Sequence, residues 1–390
     1  MKRPALDRVI NRRLDSRSID TAPDTASLAE TFAAHLITNA SRYYPDFSHN
    51  VDVRLQRRID RPVSTLYEFT LSNRRATRPV LVKVPRAPAV KAGDISSAHH
   101  DRPRRVAVPP PSQKTRLEFE ALGRLHDYFG ALNDSRFGSI RPLDLIAPGA
   151  IVMEKACDPR LSHLLLRPQW LVTRTTADFR RTALHNAGAW LAAWHRYPFG
   201  ASREATMATL EEFVEFTSLL TDYLSATIGR RGLFSRARAL TREAACRILP
   251  RQLPLGISHN DYAPRNVLVA ASGQVTVLDT LARHRAPIYV DLAHFLMSLE
   301  CAGAQVRTAG LWFSPGVLED WKRSFLEGYG RGSRAALDAI KLFEIQMVLD
   351  KWASVTLRTR LTGSGLLNPQ RDRAWSVFLE RYLRRLLTAV

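Results

Sequence analysis

Two short segments of this chain place carboxylates and an amide at a spacing that suits phosphoryl transfer. In residues 259–269, Asp261 stands five positions before Asn266, and in residues 275–280, Asp279 follows a predicted hairpin. Transfer of a phosphoryl group from a nucleotide requires positioning and charge neutralisation more than covalent catalysis. A carboxylate beside the attacking hydroxyl and further oxygen ligands for Mg²⁺ would meet these requirements. The segments are therefore candidates for two parts of one metal-assisted site.

The elements that must position these segments begin with a small predicted sheet. Alternating or β-branched runs at residues 51–57, 64–71 and 80–84 predict three successive strands with short connections. An amphipathic helix is predicted over residues 115–129, and a short apolar strand over residues 150–155. This order favours a small antiparallel sheet with one helix, followed by a linking strand.

Most of the remaining chain is predicted to be helical. The helical patterns cover residues 26–39, 183–196, 204–228, 235–248, 317–329, 335–361 and 372–387. Ser235 is the predicted N-cap of the fourth. Two short β-like runs near 267–270 and 275–278 interrupt this region. The whole pattern predicts an α+β, protein-kinase-like bilobal fold, with a small β-sheet N-lobe and a larger, mainly helical C-lobe.

The predicted fold divides the chain into three parts. Residues 1–47 form an N-terminal arm and helix, residues 48–154 the nucleotide-binding N-lobe, and residues 155–390 the C-lobe with the catalytic loop and the acceptor-binding helices. Within the N-lobe, residues 86–114 are rich in Pro, Ala, Ser and Arg, which predicts a long mobile loop.

The residue pattern resembles the aminoglycoside phosphotransferase/choline kinase-like family, which has a protein-kinase-like fold. The stretch His259-x-Asp261-x-x-x-x-Asn266, with Leu278-Asp279 after it, is similar to the catalytic and metal-binding signature of that family. The resemblance implies that Asp261 orients or deprotonates the acceptor hydroxyl. It also implies that Asn266 and Asp279 bind Mg²⁺, and that ATP or GTP is the phosphoryl donor.

The resemblance extends to both sides of that signature. Lys83, in the third predicted strand, is similar to the lysine that neutralises the nucleotide phosphates, and Glu118 to its ion-pair partner. Glu120 is the alternative partner, because it lies two residues further along the same predicted helix. His259 is implied to be a structural hydrogen-bonding residue, and Asp291 to brace the catalytic loop.

Three residues are assigned by position alone. Met153, Glu154 and Ala156 would form the inter-lobe linker whose backbone meets the adenine. Arg265, directly before Asn266, has two interpretations, a phosphate contact or a solvent-facing side chain.

The charge of the chain favours anionic partners. Its 57 Lys and Arg residues against 37 Asp and Glu residues give a net charge of +20, although an arginine-rich composition alone would also explain this. Without a recognisable nucleic-acid module or interleaved aromatic and basic residues, no specific nucleic-acid partner is expected. The basic C-terminal helix has two interpretations, peripheral contact with an anionic membrane or packing on the helical lobe.

A cytoplasmic protein without a transmembrane segment is predicted. No stretch approaches the ~18 consecutive apolar residues that a membrane span needs, and no signal peptide is recognised. Cys157, Cys246 and Cys301 are far apart and odd in number, which favours unpaired thiols in a reducing compartment.

The acceptor is predicted from charge. Polycationic aminoglycosides need an acidic cleft, whereas this chain is strongly basic, so a neutral or anionic acceptor such as a sugar or a glycolipid intermediate is favoured. The acidic run Glu211, Glu212, Glu215 and Asp222 is predicted to be a solvated helix face. An antibiotic O-phosphotransferase and a catalytically inactive kinase-like scaffold are the alternatives, and the complete set of site residues argues against the second.

Overall fold

The computed structural model describes residues 25–61, 64–86, 111–147, 149–166, 173–198, 205–280, 284–308, 310–330, 334–361 and 369–390. The predicted N-terminal arm lies almost wholly outside these residues, as does most of the predicted loop over residues 86–114. The final part of that loop prediction is wrong, because residues 111–114 already belong to a helix.

The strands described are β1 Asp52–Arg61, β2 Ser64–Ser72, β3 Thr77–Pro85, β4 Phe137–Gly138, β5 Pro142–Ile146, β6 Ala150–Glu154, β7 Leu255–Ile257, β8 Val267–Val269, β9 Val275–Val277 and β10 Arg285–Pro287. The largest sheet has the order β1-β2-β3-β6-β5. Strand β3 pairs antiparallel with β6, where Lys83 is opposite Ile151. Strands β8 and β9 form a hairpin, β4 lies parallel to β9, and β7 pairs with β10.

The helices described are α1 Thr25–Tyr43, α2 Pro111–Leu132, α3 Leu161–Leu165, α4 Arg174–His195, α5 Leu210–Ile228, α6 Arg231–Ile248, α7 Ile288–Glu300, α8 Gly303–Arg307, α9 Pro315–Tyr329, α10 Arg334–Leu361 and α11 Pro369–Leu387. Among the residues described, one 3-10 turn, Pro45–Phe47, follows α1, and another, Pro264–Asn266, leads into β8. Of the helices described, none has the length and apolarity to cross a membrane.

The chain divides into two compact units. The first comprises residues 1–58 and 67–79, and in it Phe32 of α1 packs edge-to-face on Tyr67 of β2 at 5.3 Å between ring centroids. The second comprises the remainder of the chain and contains every predicted site residue. The site can therefore be described within one unit.

The predicted starts of α4, α5 and α6 are wrong, and local capping explains the differences. Helix α4 begins at Arg174 rather than at residue 183, because the Thr173 side chain accepts a hydrogen bond from the Thr176 backbone N–H at 3.2 Å. Helix α5 begins at Leu210 because the Thr209 side chain accepts a hydrogen bond from the Glu212 backbone N–H at 3.2 Å, while the Glu212 carboxylate accepts one from the Thr209 N–H. This is a capping box. Ser235 is not an N-cap, because α6 begins at Arg231 with Arg230 as its N-cap, which directly follows the left-handed Gly229 that ends α5.

Helices α4 and α9 touch through their backbones. A Cβ atom on Gly188 would lie 1.9 Å from the Phe325 carbonyl oxygen, and one on Gly328 would lie 1.9 Å from the His185 carbonyl oxygen. Since only glycine permits so close an approach, these two positions set the distance between the helices. Helix α4 is thereby fixed beneath the catalytic loop described below.

The apolar face of α11 is buried in the helical part of the second unit. Its buried residues are Phe378, Leu379, Tyr382, Leu383, Leu386 and Leu387. The helix packs on α10, and the Tyr382 hydroxyl donates a hydrogen bond to the Glu344 carboxylate. Of the two interpretations of this helix, packing on the helical lobe is the arrangement found.

Candidate active site

The loop that contains Asp261 is shaped by one buried carboxylate. Asp291, on the first turn of α7, accepts hydrogen bonds from the backbone N–H groups of His259 at 2.8 Å and Asn260 at 2.9 Å. Asn260 has a φ of 65°, a left-handed conformation that asparagine tolerates better than most residues. Because two consecutive N–H groups converge on one carboxylate, the backbone ahead of Asp261 has a defined geometry.

A histidine on α4 completes the surroundings of Asp291. The Nε2 atom of His195 lies 3.2 Å from the Asp291 carboxylate, and its Nδ1 atom lies 2.7 Å from the Tyr329 hydroxyl. Burial alone would raise the pKa of Asp291. The hydrogen bond and charge of His195, aided by His259, instead lower this pKa to about 2, so the carboxylate is ionised at neutral pH.

Aromatic packing against α4 supports the same loop. The ring of Tyr262 stacks on Trp190 of α4 with centroids 5.8 Å apart, and its hydroxyl donates to the Ala187 carbonyl at 2.7 Å. The buried His259 donates from Nε2 to the carbonyl oxygen of Leu278 at 3.0 Å, which links this loop to the segment that carries Asp279. This geometry is that of a supporting residue rather than a base.

Asp261 lies at the exposed end of the loop. Its Oδ2 atom accepts a hydrogen bond from the Asn266 side-chain amide at 2.9 Å, and its Oδ1 atom accepts one from the Arg265 guanidinium. The Asp261 side chain is 46% exposed and that of Arg265 is 50% exposed. Neither predicted interpretation describes Arg265 fully. Its side chain is half-exposed to solvent, and its guanidinium is hydrogen-bonded to the candidate catalytic carboxylate.

His294 on α7 was not predicted as a site residue. Its Nδ1 atom donates to the Tyr262 carbonyl at 2.9 Å, and its Nε2 atom lies 3.9 Å from Asp261 Oδ1. Burial lowers the pKa of His294, although the Asp261 carboxylate opposes this effect. The available signal was its position three residues after Asp291, since such residues share one face of a helix.

Lys83 connects two carboxylates. Its Nζ atom lies 2.5 Å from Glu118 Oε1 on α2 and 2.8 Å from Asp279 Oδ1. Burial lowers the pKa of Lys83, but the ion pairs with both carboxylates outweigh burial and raise this pKa above its ordinary value. Glu120, the alternative partner, lies instead 3.4 Å from Arg116 on the exposed side of α2.

The three linker residues lie at and beyond the end of β6. Met153 is buried in a small apolar cluster, against which Ala156 and Leu278 also pack. The Glu154 backbone N–H donates to the Arg141 carbonyl at 3.0 Å, and its side chain pairs with the same arginine. The Glu154 N–H therefore has a partner already, so an adenine would have to meet other backbone atoms of this segment.

The side chains available as metal ligands suit Mg²⁺ bound together with a nucleotide better than a metal ion held by protein ligands alone. Within the described residues, no group of three or more His, Cys, Asp or Glu side chains could hold a metal ion. Mg²⁺ usually takes one or two protein ligands together with phosphate oxygens and water. The amide nitrogen of Asn266 donates to Asp261, which leaves its oxygen as the atom that can bind a cation. Asp279 is 56% exposed.

Comparison with known proteins gives one family match and several similar folds. Residues 161–342 match the model of the phosphotransferase enzyme family. No curated protein matches the chain in sequence. Three solved structures are similar in fold. The first is a Ralstonia eutropha JMP134 protein assigned to the aminoglycoside phosphotransferases, with 13% identity, coverage of 92% of this chain and 98% of that one, and a TM-score of 0.54.

The second is an ethanolamine kinase from Plasmodium vivax, with 10% identity, coverage of 93% of this chain and 91% of that one, and a TM-score of 0.52. The third is the macrolide 2'-phosphotransferase MphH from Brachybacterium faecium, with 14% identity, coverage of 89% and 98%, and a TM-score of 0.50. At these identities the likeness concerns the fold alone, and it confirms the predicted α+β, kinase-like fold.

Proposed function

We propose that this chain, whose residues 161–342 match the model of the phosphotransferase enzyme family, is a small-molecule kinase. It would transfer the γ-phosphoryl group of ATP or GTP to a hydroxyl group of a small acceptor. The observation that carries this proposal is Lys83 Nζ, which lies within 2.8 Å of both Glu118 and Asp279. The ammonium group of Lys83, which would bind phosphate, is thus held between Glu118 on α2 and Asp279, the candidate metal ligand.

Lys83 would neutralise charge on the nucleotide phosphates. Its side chain is only 13% exposed, and its raised pKa keeps it protonated throughout the physiological range. Glu118, which is buried, fixes the position of the ammonium group. Such fixed charges stabilise a transition state because they need no reorganisation when the charge on the phosphoryl group develops.

Asp261 would act on the acceptor. Its carboxylate can accept the proton of the acceptor hydroxyl, whose oxygen then forms a bond to the γ-phosphorus while the bond to the β-phosphate oxygen breaks and the nucleoside diphosphate leaves. Asp291 and His259 hold the loop that presents this carboxylate. Mg²⁺, when bound through Asn266 and Asp279, would supply further charge neutralisation at the phosphates.

The acceptor that we propose is neutral or anionic, such as a sugar or a glycolipid intermediate. The acidic residues of α5 that might have formed a cationic-substrate site are exposed on its outer face, as a solvated surface would be: Glu211, Glu212, Glu215 and Asp222. The carboxylate of Asp261 is itself paired with Arg265, which makes its surroundings less favourable for a polycation.

We also propose a cytoplasmic location. Cys157, Cys246 and Cys301 are all unpaired, and the first two are exposed. Exposed thiols persist more readily in a reducing compartment than in an oxidising one.

A thermal-shift titration tests the nucleotide site. ATP and GTP, each with and without Mg²⁺, should raise the melting temperature by mass action if they bind the folded protein. We expect a magnesium-dependent rise with at least one nucleotide, and its loss in Asp279→Ala. Absence of any shift at millimolar nucleotide would contradict the proposal and favour an inactive scaffold.

An acceptor screen with radiolabelled ATP then tests the reaction. Sugars, amino alcohols and aminoglycosides are offered to the wild-type protein and to Asp261→Ala. We expect Asp261→Ala to abolish transfer while its melting temperature is retained, because the side chain is half-exposed and contributes to the reaction rather than to the core. Unchanged turnover in this variant would rule out the assigned role of Asp261.

A further inference from the structure

A cavity of about 190 Å³ adjoins the catalytic loop. Its walls come from α3, from the loop itself and from the region between the end of α7 and α9. They are mainly apolar and include Leu165, Pro264, Leu299, Phe313 and Trp321. Arg265 is the one charged side chain among the lining residues that the structure describes.

Arg265 joins this cavity to the candidate catalytic carboxylate. Its guanidinium is hydrogen-bonded to Asp261 Oδ1, and the same residue forms part of the cavity wall. The cavity therefore begins within one side-chain length of Asp261. The cavity is smaller than the roughly 300–1,000 Å³ of a complete small-molecule site, so it would hold one part of an acceptor rather than all of it.

Apolar walls with a single arginine match a ligand of defined chemistry. An apolar group can replace water against the leucine and aromatic side chains, and an anionic oxygen can accept hydrogen bonds from the planar guanidinium. A cationic group would instead meet Arg265 at close range and be repelled. The net charge of +20 acts in the same direction, since it favours anionic ligands over the whole surface.

We propose that this cavity binds an apolar part of the acceptor that carries a phosphate or carboxylate group, and that Arg265 determines this specificity. The proposal rests on the kinase function proposed above and narrows its substrate class. An anion at Arg265 competes with Asp261 for the guanidinium. Binding of such an acceptor thus frees the Asp261 carboxylate to accept the hydroxyl proton, whereas a neutral acceptor leaves Arg265 on Asp261.

A binding experiment tests the cavity without requiring turnover. Phenyl phosphate, phenol and inorganic phosphate are titrated by calorimetry into the protein in excess ADP and Mg²⁺, which compete for the nucleotide phosphate site. Because hydrogen bonds to a charged group contribute about 1.5–3 kcal/mol, phenyl phosphate should bind about tenfold or more tighter than phenol. It should also bind tighter than inorganic phosphate, which lacks the apolar group.

Two variants and a matched control locate the binding. Arg265→Gln should weaken phenyl phosphate about tenfold or more. Ser162→Phe, which fills the cavity from α3, should weaken it as well. Arg236→Gln removes the same charge from an exposed position on α6, a helix that does not line the cavity, and should change the affinity less than about twofold, since exposed charges are screened. Equal affinity in the wild-type protein and in Arg265→Gln would overturn the proposal.

Turnover distinguishes this proposal from the general one. Tyrosol methylated on its phenol and tyrosol phosphorylated on its phenol share one primary hydroxyl, which is the only alcohol acceptor in each, and differ in the anion. The wild-type protein should prefer the phosphorylated form in kcat/KM, and Arg265→Gln should remove that preference. Transfer to neutral acceptors with no preference for the anionic form would refute the inference and leave the kinase function standing. Absence of both nucleotide binding and transfer would refute the kinase function itself.

Discussion

At the scale of the residue, the site depends on buried charges that have been given partners. Lys83 and Glu118 form a nearly buried pair, and Asp291 is an ionised carboxylate that is almost fully buried. Such groups stabilise the folded protein only while their partners are present, because removal of one partner leaves an uncompensated buried charge. Substitution of single partners should therefore give large and specific effects.

The first residue-scale prediction concerns the partner of Lys83. Glu118→Gln should lower kcat/KM for the nucleotide about tenfold or more, equivalent to about 1.4 kcal/mol or more of transition-state stabilisation, because Lys83 loses the carboxylate that positions it. Glu120→Gln is the matched control on the same helix and should stay within about twofold, since Glu120 pairs with Arg116 at the surface. Equal effects of the two substitutions would show that Glu118 does not position Lys83.

The second residue-scale prediction concerns acid stability. The folded-state pKa of Asp291 is about 2, below its ordinary value of 3.8, so its contribution is present above about pH 4 and is lost as the pH falls toward 2. In urea unfolding, Asp291→Asn should be about 2 kcal/mol less stable than wild type at pH 5, and this gap should narrow by pH 3.

Asp222→Asn is the control for that experiment. Asp222 is 64% exposed and pairs with Arg238 at the surface, so this substitution should cost less than about 1 kcal/mol at either pH. A gap for Asp291→Asn that stays constant between the two pH values would contradict the assignment of a lowered pKa to this carboxylate.

At the scale of the element, helix α4 supports the catalytic loop and is itself held by α9. The Trp190 ring and the Ala187 carbonyl of α4 both contact Tyr262, directly after Asp261. The position of α4 depends on the backbone contact at Gly188 and Gly328. A change in the distance between α4 and α9 would therefore displace the side chains of α4 that contact Tyr262, and with them the loop that contains Asp261.

The element-scale prediction tests this contact. Gly188→Ala should lower the free energy of unfolding by about 3 kcal/mol, because the added methyl group would overlap backbone atoms of α9 that cannot move independently. Gly232→Ala on α6 is the control, since its methyl group would meet no atom within 4 Å. Because Gly232 is the second residue of α6, the substitution should raise stability by no more than about 0.5 kcal/mol, less than alanine gains over glycine in a helix interior. Equal stability of the two variants would contradict the close crossing.

At the scale of the whole molecule, the dominant feature is the net charge of +20. The basic residues are distributed along the chain rather than gathered in one tract. The basic C-terminal helix buries its apolar face against other helices. We infer that a charge of this size exerts a general attraction on anionic nucleotides and acceptors.

The whole-molecule prediction is a salt dependence of nucleotide binding. Because the Debye length falls from roughly 14 Å at 0.05 M to about 4 Å at 0.5 M salt, the dissociation constant of ATP should rise several-fold over this range. Adenosine, which carries no charge, should bind with nearly constant affinity. An equal response of both ligands in calorimetry would show that the long-range field makes no contribution.

The part of the fold that the sequence determined by itself is local. The strand around Lys83, the helix around Glu118 and the hairpin before Asp279 could be predicted because side-chain alternation and helical spacing are properties of neighbouring residues. The loop from Asp261 to Asn266 could be recognised for the same reason. The start of α5 was also readable, since Thr209 and Glu212 have the spacing of a capping box, and that signal was missed.

Other parts of the site were decided only by the tertiary structure. His195 meets Asp291 across 96 residues of sequence and meets Tyr329 across 134 residues, and no local pattern specifies such partners. The sequence allowed a phosphate contact or a solvent-facing side chain for Arg265, whereas in the structure Arg265 lies in the 3-10 turn Pro264–Asn266 and donates a hydrogen bond to Asp261. Local chemistry thus determined which residues could react, whereas packing between distant segments decided which of them share one site, because that packing follows from burial of the whole core.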